Sequence, residues 1–269
     1  MKKLTALFAA LTVMLSLLSG CGESAGGVRV IDELGVKHLA VYCRERDTLA
    51  EKVNDAMNTL AADGTLSTAA QKWLGSDVIT LKGAESEPDE DEAEEEEAAP
   101  RTLVVGVEAD SAPFADEDEN GEWVGMSVDI AYALGGVLGW DVRIQPVTCL
   151  DLSAQLASGN IDCAVGFPVE IAASGMAAGD SYMQSRVLLV SLAGSEYTSY
   201  RSLEGARIAC RSADTYSVQL AQGSEDLNKY AQFLWKCSDV AACMNSFTSG
   251  VSSAAVMDEY VLSAAINSL

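Results

Sequence analysis

The sequence predicts an α/β protein made of two lobes, in which largely parallel strands alternate with helices. After residue 100, short apolar runs with strand character alternate with amphipathic runs of helical period. The alternation occurs in two cycles, and the second begins at the long apolar run "SRVLLVSLAG", residues 185–194. Regular alternation of this kind is typical of layered α/β folds. The 269-residue chain is long enough for one large domain or two small ones.

The first 21 residues are typical of a secretory signal and not of a membrane-spanning helix. Lys2 and Lys3 precede a short apolar run at residues 4–18. The run ends in "LSGC", residues 18–21, which resembles a bacterial lipobox. That resemblance implies that Cys21 is lipidated, becomes the mature N-terminus and holds the protein at the extracytoplasmic face of the cell membrane. The alternative is a plain signal peptide with a chance cysteine.

The composition excludes some partners and sites. A formal net charge of −23 argues against nucleic acid, because phosphate binding needs clustered Lys and Arg. No metal or other cofactor is expected, since the sequence has no CxxC motif and His38 is its single histidine. Cys163 and Cys210 lie in apolar runs that favour buried free thiols, and Cys237 and Cys243 are the nearest pair for a disulfide.

An acidic run at residues 84–100 separates a short first part of the chain from a longer second part. It contains Asp and Glu throughout and no large apolar residue, so it repels itself and forms an extended linker. Before it, residues 36–43 ("VKHLAVYC") predict a strand, and Asp47 can cap the helix that follows. The apolar face of that helix consists of Leu49, Val53, Met57 and Leu60. Residues 63–77 ("DGTLSTAAQKWLGSD") predict a last short helix, as at the end of a protein.

The elements after the linker follow in order. The first cycle reads strand "RTLVVGVEA", hairpin turn "ENGEW", helix "SVDIAYALGGVLG", strand "DVRIQPV", helix "DLSAQLASGN" and strand "IDCAVGF". The second begins with the long strand at residues 185–194. It continues with strand "SLEGARIACRS", helix "ADTYSVQLAQG" starting near Asp214, strand "AQFLWKC", helix "SDVAACMNSFTSG", strand "VSSAAVMD" and helix "EYVLSAAINSL".

The ordered set of motifs in these segments resembles the family 3 extracellular solute-binding proteins, the receptors of polar amino-acid ABC transporters. Residues 103–147 contain a D-x-x-P-F turn and an N-G-x-x-x-G-x-x-V-D hairpin that leads into the first helix. Residues 152–166 contain the S-G-x-x-D segment, and "GDSYMQSRVLLV" is similar to the run into the first crossing strand. The resemblance implies the type II periplasmic-binding-protein-like fold, with hinge strands between two lobes.

The family's chain continues beyond "MDEY", and here that continuation stands at the front of the sequence instead. The resemblance therefore implies a circular permutation, in which the acidic linker joins the family's old C-terminus to its old N-terminus. On this interpretation residues 28–83 are the permuted C-terminal part of lobe 1, residues 101–190 its main part, and residues 191–269 lobe 2. The alternative is a degenerate fragment fused ahead of a truncated receptor.

The resemblance also places a ligand between the lobes and assigns some residues to it. Asp258 matches the family's ammonium-binding aspartate, although it can also cap the helix that follows. Thr215, with Asp214, matches the turn that touches the ligand's carboxylate. The family's carboxylate-clamping arginine falls near Ala172 and Ala173, where this chain has none. Ser111 and Cys149 stand where the family has the aromatic pair.

These departures leave three interpretations of the ligand site open. In the first, Arg211 replaces the missing cation. In the second, the ligand is a cationic, amide or apolar solute held by Asp258 together with Glu108, Asp110 and Phe167, where Phe167 is either a cleft wall or core. In the third, the fold remains and binding is lost.

The favoured function is a lipid-anchored, monomeric binding protein without catalytic activity. It would capture a small amino-acid-like or cationic solute and pass it to the permease of an ABC importer. One alternative is a surface sensor or interaction module that has lost amino-acid binding. Another is a dehydratase of the same fold, as known for cyclic amino-acid precursors, although the missing cleft arginine counts against it.

Overall fold

The computed structural model describes residues 27–83 and 101–268. Cys21 with its signal sequence and the acidic linker thus lie outside the described residues. Before the linker the elements are β1 (Val28–Arg44), α1 (Thr48–Ala62) and α2 (Thr65–Leu74). Asp47 caps α1 as predicted, because its carboxylate accepts a hydrogen bond from the Leu49 amide at 3.0 Å.

The elements after the linker follow the predicted alternation. The first group is β2 (Thr102–Glu108), β3 (Asp116–Glu117), β4 (Trp123–Val124), α3 (Met126–Leu138), β5 (Asp141–Val147), α4 (Leu152–Ser158), β6 (Cys163–Pro168) and β7 (Met176–Ala178). The second is β8 (Met183–Leu192), β9 (Arg207–Arg211), α5 (Thr215–Gly223), α6 (Glu225–Tyr230), β10 (Phe233–Cys237), α7 (Val240–Thr248), β11 (Ala254–Asp258) and α8 (Glu259–Asn267). Short 3-10 turns lie at Val169–Ile171 and Tyr200–Leu203. None of the described helices is long and apolar enough to cross a membrane.

A nine-stranded sheet runs through both halves of the molecule in the order β10-β9-β11-β8-β1-β6-β2-β5, with β7 beside β1. β2 pairs in parallel with β5 and β6, and β9 pairs in parallel with β10 and β11. Between these parallel groups, the long strands β1 and β8 pair antiparallel with each other. We call β2–β7 with α1–α4 lobe 1, β9–β11 with α5–α8 lobe 2, and β1 and β8 the crossing strands. The predicted two-lobed α/β fold is confirmed, and the predicted lobe boundary after residue 190 falls inside β8.

The part of the chain before the linker packs into lobe 1. The last residues of β1, Leu39–Cys43, pair with Cys163–Pro168 of β6, which in turn pairs with β2. Helices α1 and α2 lie against α3. All four residues of the predicted apolar face of α1 are buried in the largest core cluster. A circular permutation requires this packing, and the permutation itself stays a prediction.

The six cysteines after Cys21 are free thiols in the structure. Cys163 and Cys210 are fully buried, which agrees with their interpretation as small apolar residues of strands. Cys237 and Cys243 are also buried and form no disulfide. In the described part of the chain no disulfide therefore joins the two lobes.

A cut within the acidic linker tests whether the two parts of the chain form one folded unit. We expect a protease site inserted at residues 84–100 to be cleaved without separating the parts, because β1 pairs with strands of the second part on both sides. Gel filtration of the cleaved protein should show one species, and its thermal unfolding should remain a single transition. Two species in native buffer would contradict the permutation and support a separate fragment.

Candidate functional site

Five charged side chains meet between the two lobes, where strands of both lobes end. Glu108 closes β2 of lobe 1, while Arg211 and Asp258 close β9 and β11 of lobe 2. Asp214 precedes α5, and Lys37 comes from the crossing strand β1. The exposed fraction of their side chains lies between 3% for Asp258 and 13% for Glu108. Ligands of α/β proteins bind at the carboxyl ends of strands, so this buried cluster marks the candidate site.

Lys37 is the centre of the cluster. Its ammonium lies 2.8 Å from the Asp214 carboxylate and 3.4 Å from the Asp258 carboxylate. Burial opposes the charge on Lys37, but the carboxylates of Asp214, Asp258 and Glu108 outweigh it and raise the pKa of the amine above its ordinary value. The lysine is therefore fully charged although it is buried.

Asp258 has two roles, and all of its acceptor positions are used. Its Oδ1 accepts hydrogen bonds from the Tyr260 and Val261 amides at 3.0 and 3.4 Å, so it caps α8 as one interpretation of the sequence predicted. Its Oδ2 accepts a hydrogen bond from Ser185 at 2.8 Å and faces Lys37. The Asp258 carboxylate thus faces an ammonium that belongs to the protein.

Asp214 caps α5, the helix that the sequence placed near this residue. Its carboxylate accepts hydrogen bonds from the Ser217 amide at 3.2 Å and the Ser217 hydroxyl at 2.7 Å. Burial alone would raise the pKa of Asp214, but Lys37 and Arg211 overcome that effect and hold it below its ordinary value. Thr215, the first residue of α5, is half-buried beside it.

Arg211 joins the two lobes. From the end of β9 its guanidinium donates hydrogen bonds to the Glu108 carboxylate at 2.9 Å and to the Ala109 carbonyl at 3.1 Å. Burial raises the pKa of Glu108 above its ordinary value, although Arg211 acts against this rise. The predicted cation of the cleft is therefore present, and it is already paired with a predicted anion.

A second contact between the lobes involves Asp110. This residue has a φ of +52°, which is uncommon outside glycine. Its carboxylate accepts a hydrogen bond at 2.8 Å from the amide of Val240, the first residue of α7. A helix N-terminus attracts negative charge. The Asp110 carboxylate of lobe 1 therefore binds the N-terminus of α7 in lobe 2 and needs no basic side chain as a partner there.

A small cavity of about 20 Å³ remains at the centre of the cluster. Its lining includes Glu108, Ser111, Ser127, Gly166, Arg211 and Asp258. Ser111 donates a hydrogen bond to the Glu108 carbonyl at 2.5 Å and is buried. A cavity of this size holds about one water molecule, so side chains of the protein fill most of the space between the two lobes.

Phe167 does not line this cavity, and the prediction that it is a ligand contact is corrected. The ring is fully buried in a separate core cluster with Tyr42, Leu152 and Leu156. The register between β1 and β6 shifts where Gly166, with a φ of +89°, forms a bulge. The bulge turns Phe167 away from the face that carries Val165, so the core alternative is correct.

Sequence reasoning missed Lys37, although a signal was present. In a strand every second residue shares a face, so Lys37 lies in line with Leu39, Val41 and Cys43. All three of these residues are buried and apolar. A lysine on the buried face of a strand requires an anionic partner.

Comparison with known proteins finds a family match over part of this chain. Residues 103–229 match the model of the bacterial extracellular solute-binding proteins, family 3. No curated protein matches the chain. Among solved structures, holo ArgBP from T. maritima is 24% identical, with a TM-score of 0.50 over 62% of this chain and 73% of that one.

Two further solved structures show the same fold. An ancestral amino acid-binding protein, described as a precursor of cyclohexadienyl dehydratase, is 26% identical with a TM-score of 0.50, covering 60% of this chain and 71% of its own. An ABC uptake transporter substrate-binding protein from Streptococcus pneumoniae with bound histidine is 17% identical. Its TM-score is 0.54, and the match covers 60% of this chain and 68% of that one. The protein therefore shares the two-lobed architecture of structures that hold amino acids.

The pair that joins the lobes can be tested by a double-mutant cycle on Glu108 and Arg211. We expect Glu108→Gln and Arg211→Met each to lower the free energy of unfolding by about 3 kcal/mol, because each leaves a buried charge unpaired. The double variant should lose much less than the sum, as measured by urea unfolding.

Lys72→Met is the control for this cycle, since Lys72 forms an exposed pair with Asp129. Its loss should stay below about 1 kcal/mol. Additive losses in the cycle would show that Glu108 and Arg211 do not interact in solution.

Proposed function

Because residues 103–229 match the family 3 bacterial extracellular solute-binding proteins, we propose that this chain captures a small amino-acid-like or cationic solute between its two lobes. The observation that carries the proposal is the buried cluster of charged groups at the strand ends of both lobes. Its members with formal charge are Lys37, Glu108, Arg211, Asp214 and Asp258. Three of these are acids and two are bases, so the cluster has a net negative charge that favours a cation.

The contacts across the cleft support a binding mechanism based on lobe closure. Arg211 bonds to Glu108 and Ala109, and Asp110 bonds to the Val240 amide, so each bond joins lobe 1 to lobe 2. Opening the lobes breaks these bonds and exposes their partners. A solute that satisfies the same groups shifts the population towards a closed, liganded state.

The first lobe offers anions rather than the family's arginine. Glu108 and Asp110 follow the end of β2, and the turn near Ala172 and Ala173 is exposed and lacks a basic residue. A carboxylate buried there without a cation would cost several kcal/mol. Guanidinium, ammonium and amide groups fit the lobe 1 wall better than a carboxylate does.

Delivery to an ABC importer completes the proposed function. The lipobox-like residues 18–21 would anchor a monomer through Cys21 at the extracytoplasmic face, where the permease of the importer accepts its solute. The charge of −23 disfavours adsorption to anionic lipid, so attachment would depend on the lipid alone.

A thermal-shift screen tests solute binding directly. The chain without its first 21 residues would be melted with amino acids, polyamines, guanidines, small peptides and cyclic acids. A solute present at a hundred times its dissociation constant should stabilise the fold by about 2.7 kcal/mol. The shift should disappear in Glu108→Gln and persist in Glu117→Gln, which removes the same charge from an exposed strand.

A cooperative melt that no solute in this panel shifts would contradict solute capture. It would favour the alternative of a surface interaction module that keeps the fold. A solute consumed during the assay would instead indicate an enzyme of the same fold.

Lipid attachment has its own test. In bacteria fed a radiolabelled or clickable fatty acid, we expect the wild-type protein to carry the label and remain with the membrane fraction. Cys21→Ser should lose both, because the thiol is the attachment point. Label retained in Cys21→Ser would show that the lipobox interpretation is wrong.

A further inference from the structure

We infer that Lys37 is a built-in occupant of the ammonium subsite, so that this cleft selects solutes without an α-ammonium group. This inference rests on the proposed function, and it restricts the proposed solute to compounds that lack an α-ammonium group. The ammonium of Lys37 lies 2.8 Å from Asp214 and 3.4 Å from Asp258, the two acids that the family resemblance places around an amino-acid ligand.

The acceptor positions of this subsite are almost all occupied, with none left on Asp258 and one on Asp214. A carboxylate offers about four lone-pair positions. In Asp258 two are used by backbone amides of α8, one by Ser185 and one by Lys37. In Asp214 the amide and hydroxyl of Ser217 occupy two positions and Lys37 a third. A ligand ammonium would have to displace Lys37 to be satisfied.

The register of the crossing strands holds Lys37 in this place. Lys37 lies directly opposite Ser185 in the antiparallel pairing of β1 with β8, and both side chains reach the same oxygen of Asp258. The neighbouring Asp258 lies opposite Val187 in the pairing of β11 with β8. The position of the Lys37 ammonium is therefore fixed by strand pairing within the sheet and not by a mobile loop.

Covalent attachment gives Lys37 an advantage over any free ammonium. A group tethered beside its site competes at an effective concentration of the order of millimolar or more. An α-amino acid must overcome this competition and must also bind without the clamping arginine. A guanidinium or amide solute that lacks an α-ammonium avoids the competition with Lys37 and does not need the clamping arginine. Its contact with Glu108 would take the place of the bond from Arg211, which is broken when the lobes open.

Chemical rescue tests whether the site around Lys37 is an ammonium subsite. Lys37→Ala should lower the melting temperature by roughly 6–12 °C, because two buried acids lose their counter-charge. Methylammonium, ethylammonium and propylammonium chloride should restore much of this loss in a saturable manner. Propanol, of similar shape without charge, should not, and sodium chloride at equal ionic strength should not.

Three controls make the rescue specific. The wild type and Lys72→Ala, which removes an exposed lysine, should show no saturable response to alkylammonium ions. Asp258→Asn combined with Lys37→Ala should lose most of the rescue. If Lys37→Ala does not fold, the variant Lys37→Ala/Asp214→Asn leaves a single unpaired acid and can be refolded with and without propylammonium.

A second experiment compares the binding of arginine with the binding of its analogue that lacks the α-amino group. Arginine should bind Lys37→Ala at least tenfold more tightly than it binds the wild type, as measured by calorimetry. A cooperative melt of Lys37→Ala without saturable rescue would overturn the inference. So would wild-type binding of arginine that is tighter than binding of the deaminated analogue and lost in Asp258→Asn.

The two proposals fail in distinguishable ways. If no solute binds the wild type while alkylammonium ions rescue Lys37→Ala, the subsite assignment stands and solute capture fails. If a free α-amino acid binds the wild type through Asp258, solute capture stands and the role of Lys37 fails.

Discussion

The cost of burying charge is the constraint on which the cleft of this protein depends. A charged side chain that leaves water is tolerated only when a partner and further hydrogen bonds replace the lost hydration. Here Lys37 and Arg211 meet this requirement for three acids at once. The closed arrangement of the lobes follows, because Glu108 has its basic partner on the opposite lobe.

The crossing strands explain how charges from distant parts of the sequence meet. β1 and β8 pair with each other and border both parallel groups of strands, so the strand ends of each lobe face the same gap. Lys37 on β1 and Ser185 on β8 therefore lie at the hinge and contact the same aspartate of lobe 2. An opening of the lobes would leave these two hinge residues in place and would separate Glu108 from Arg211.

Much of the fold could be predicted from the sequence because its elements obey local rules. The period of the apolar residues predicted the helices, and capping residues such as Asp47 and Asp214 predicted where they begin. Asp258 was located by its resemblance to the family's aspartate at the end of a strand. These signals depend on near neighbours in the chain.

The remainder depended on contacts that no local pattern records. Phe167 was left open as either a cleft wall or core, because the bulge at Gly166 that sets the direction of its ring depends on pairing with β1. The partner of Arg211 was not predicted, since Glu108 is separated from it by 103 residues. Pairing across such distances is set by the topology of the sheet, and the position of β1 within it depends on the part of the chain before the linker.

Lysine at position 37 fits the geometry better than arginine would. An ammonium is a compact charge with three donors on a flexible stem, so it can face two carboxylates and adjust to both. A guanidinium presents a planar fork suited to one carboxylate, which is the arrangement of Arg211 with Glu108 and the Ala109 carbonyl. The two bases of the cleft therefore have different tasks. The lysine neutralises the acids within lobe 2, and the arginine ties lobe 2 to lobe 1 through Glu108.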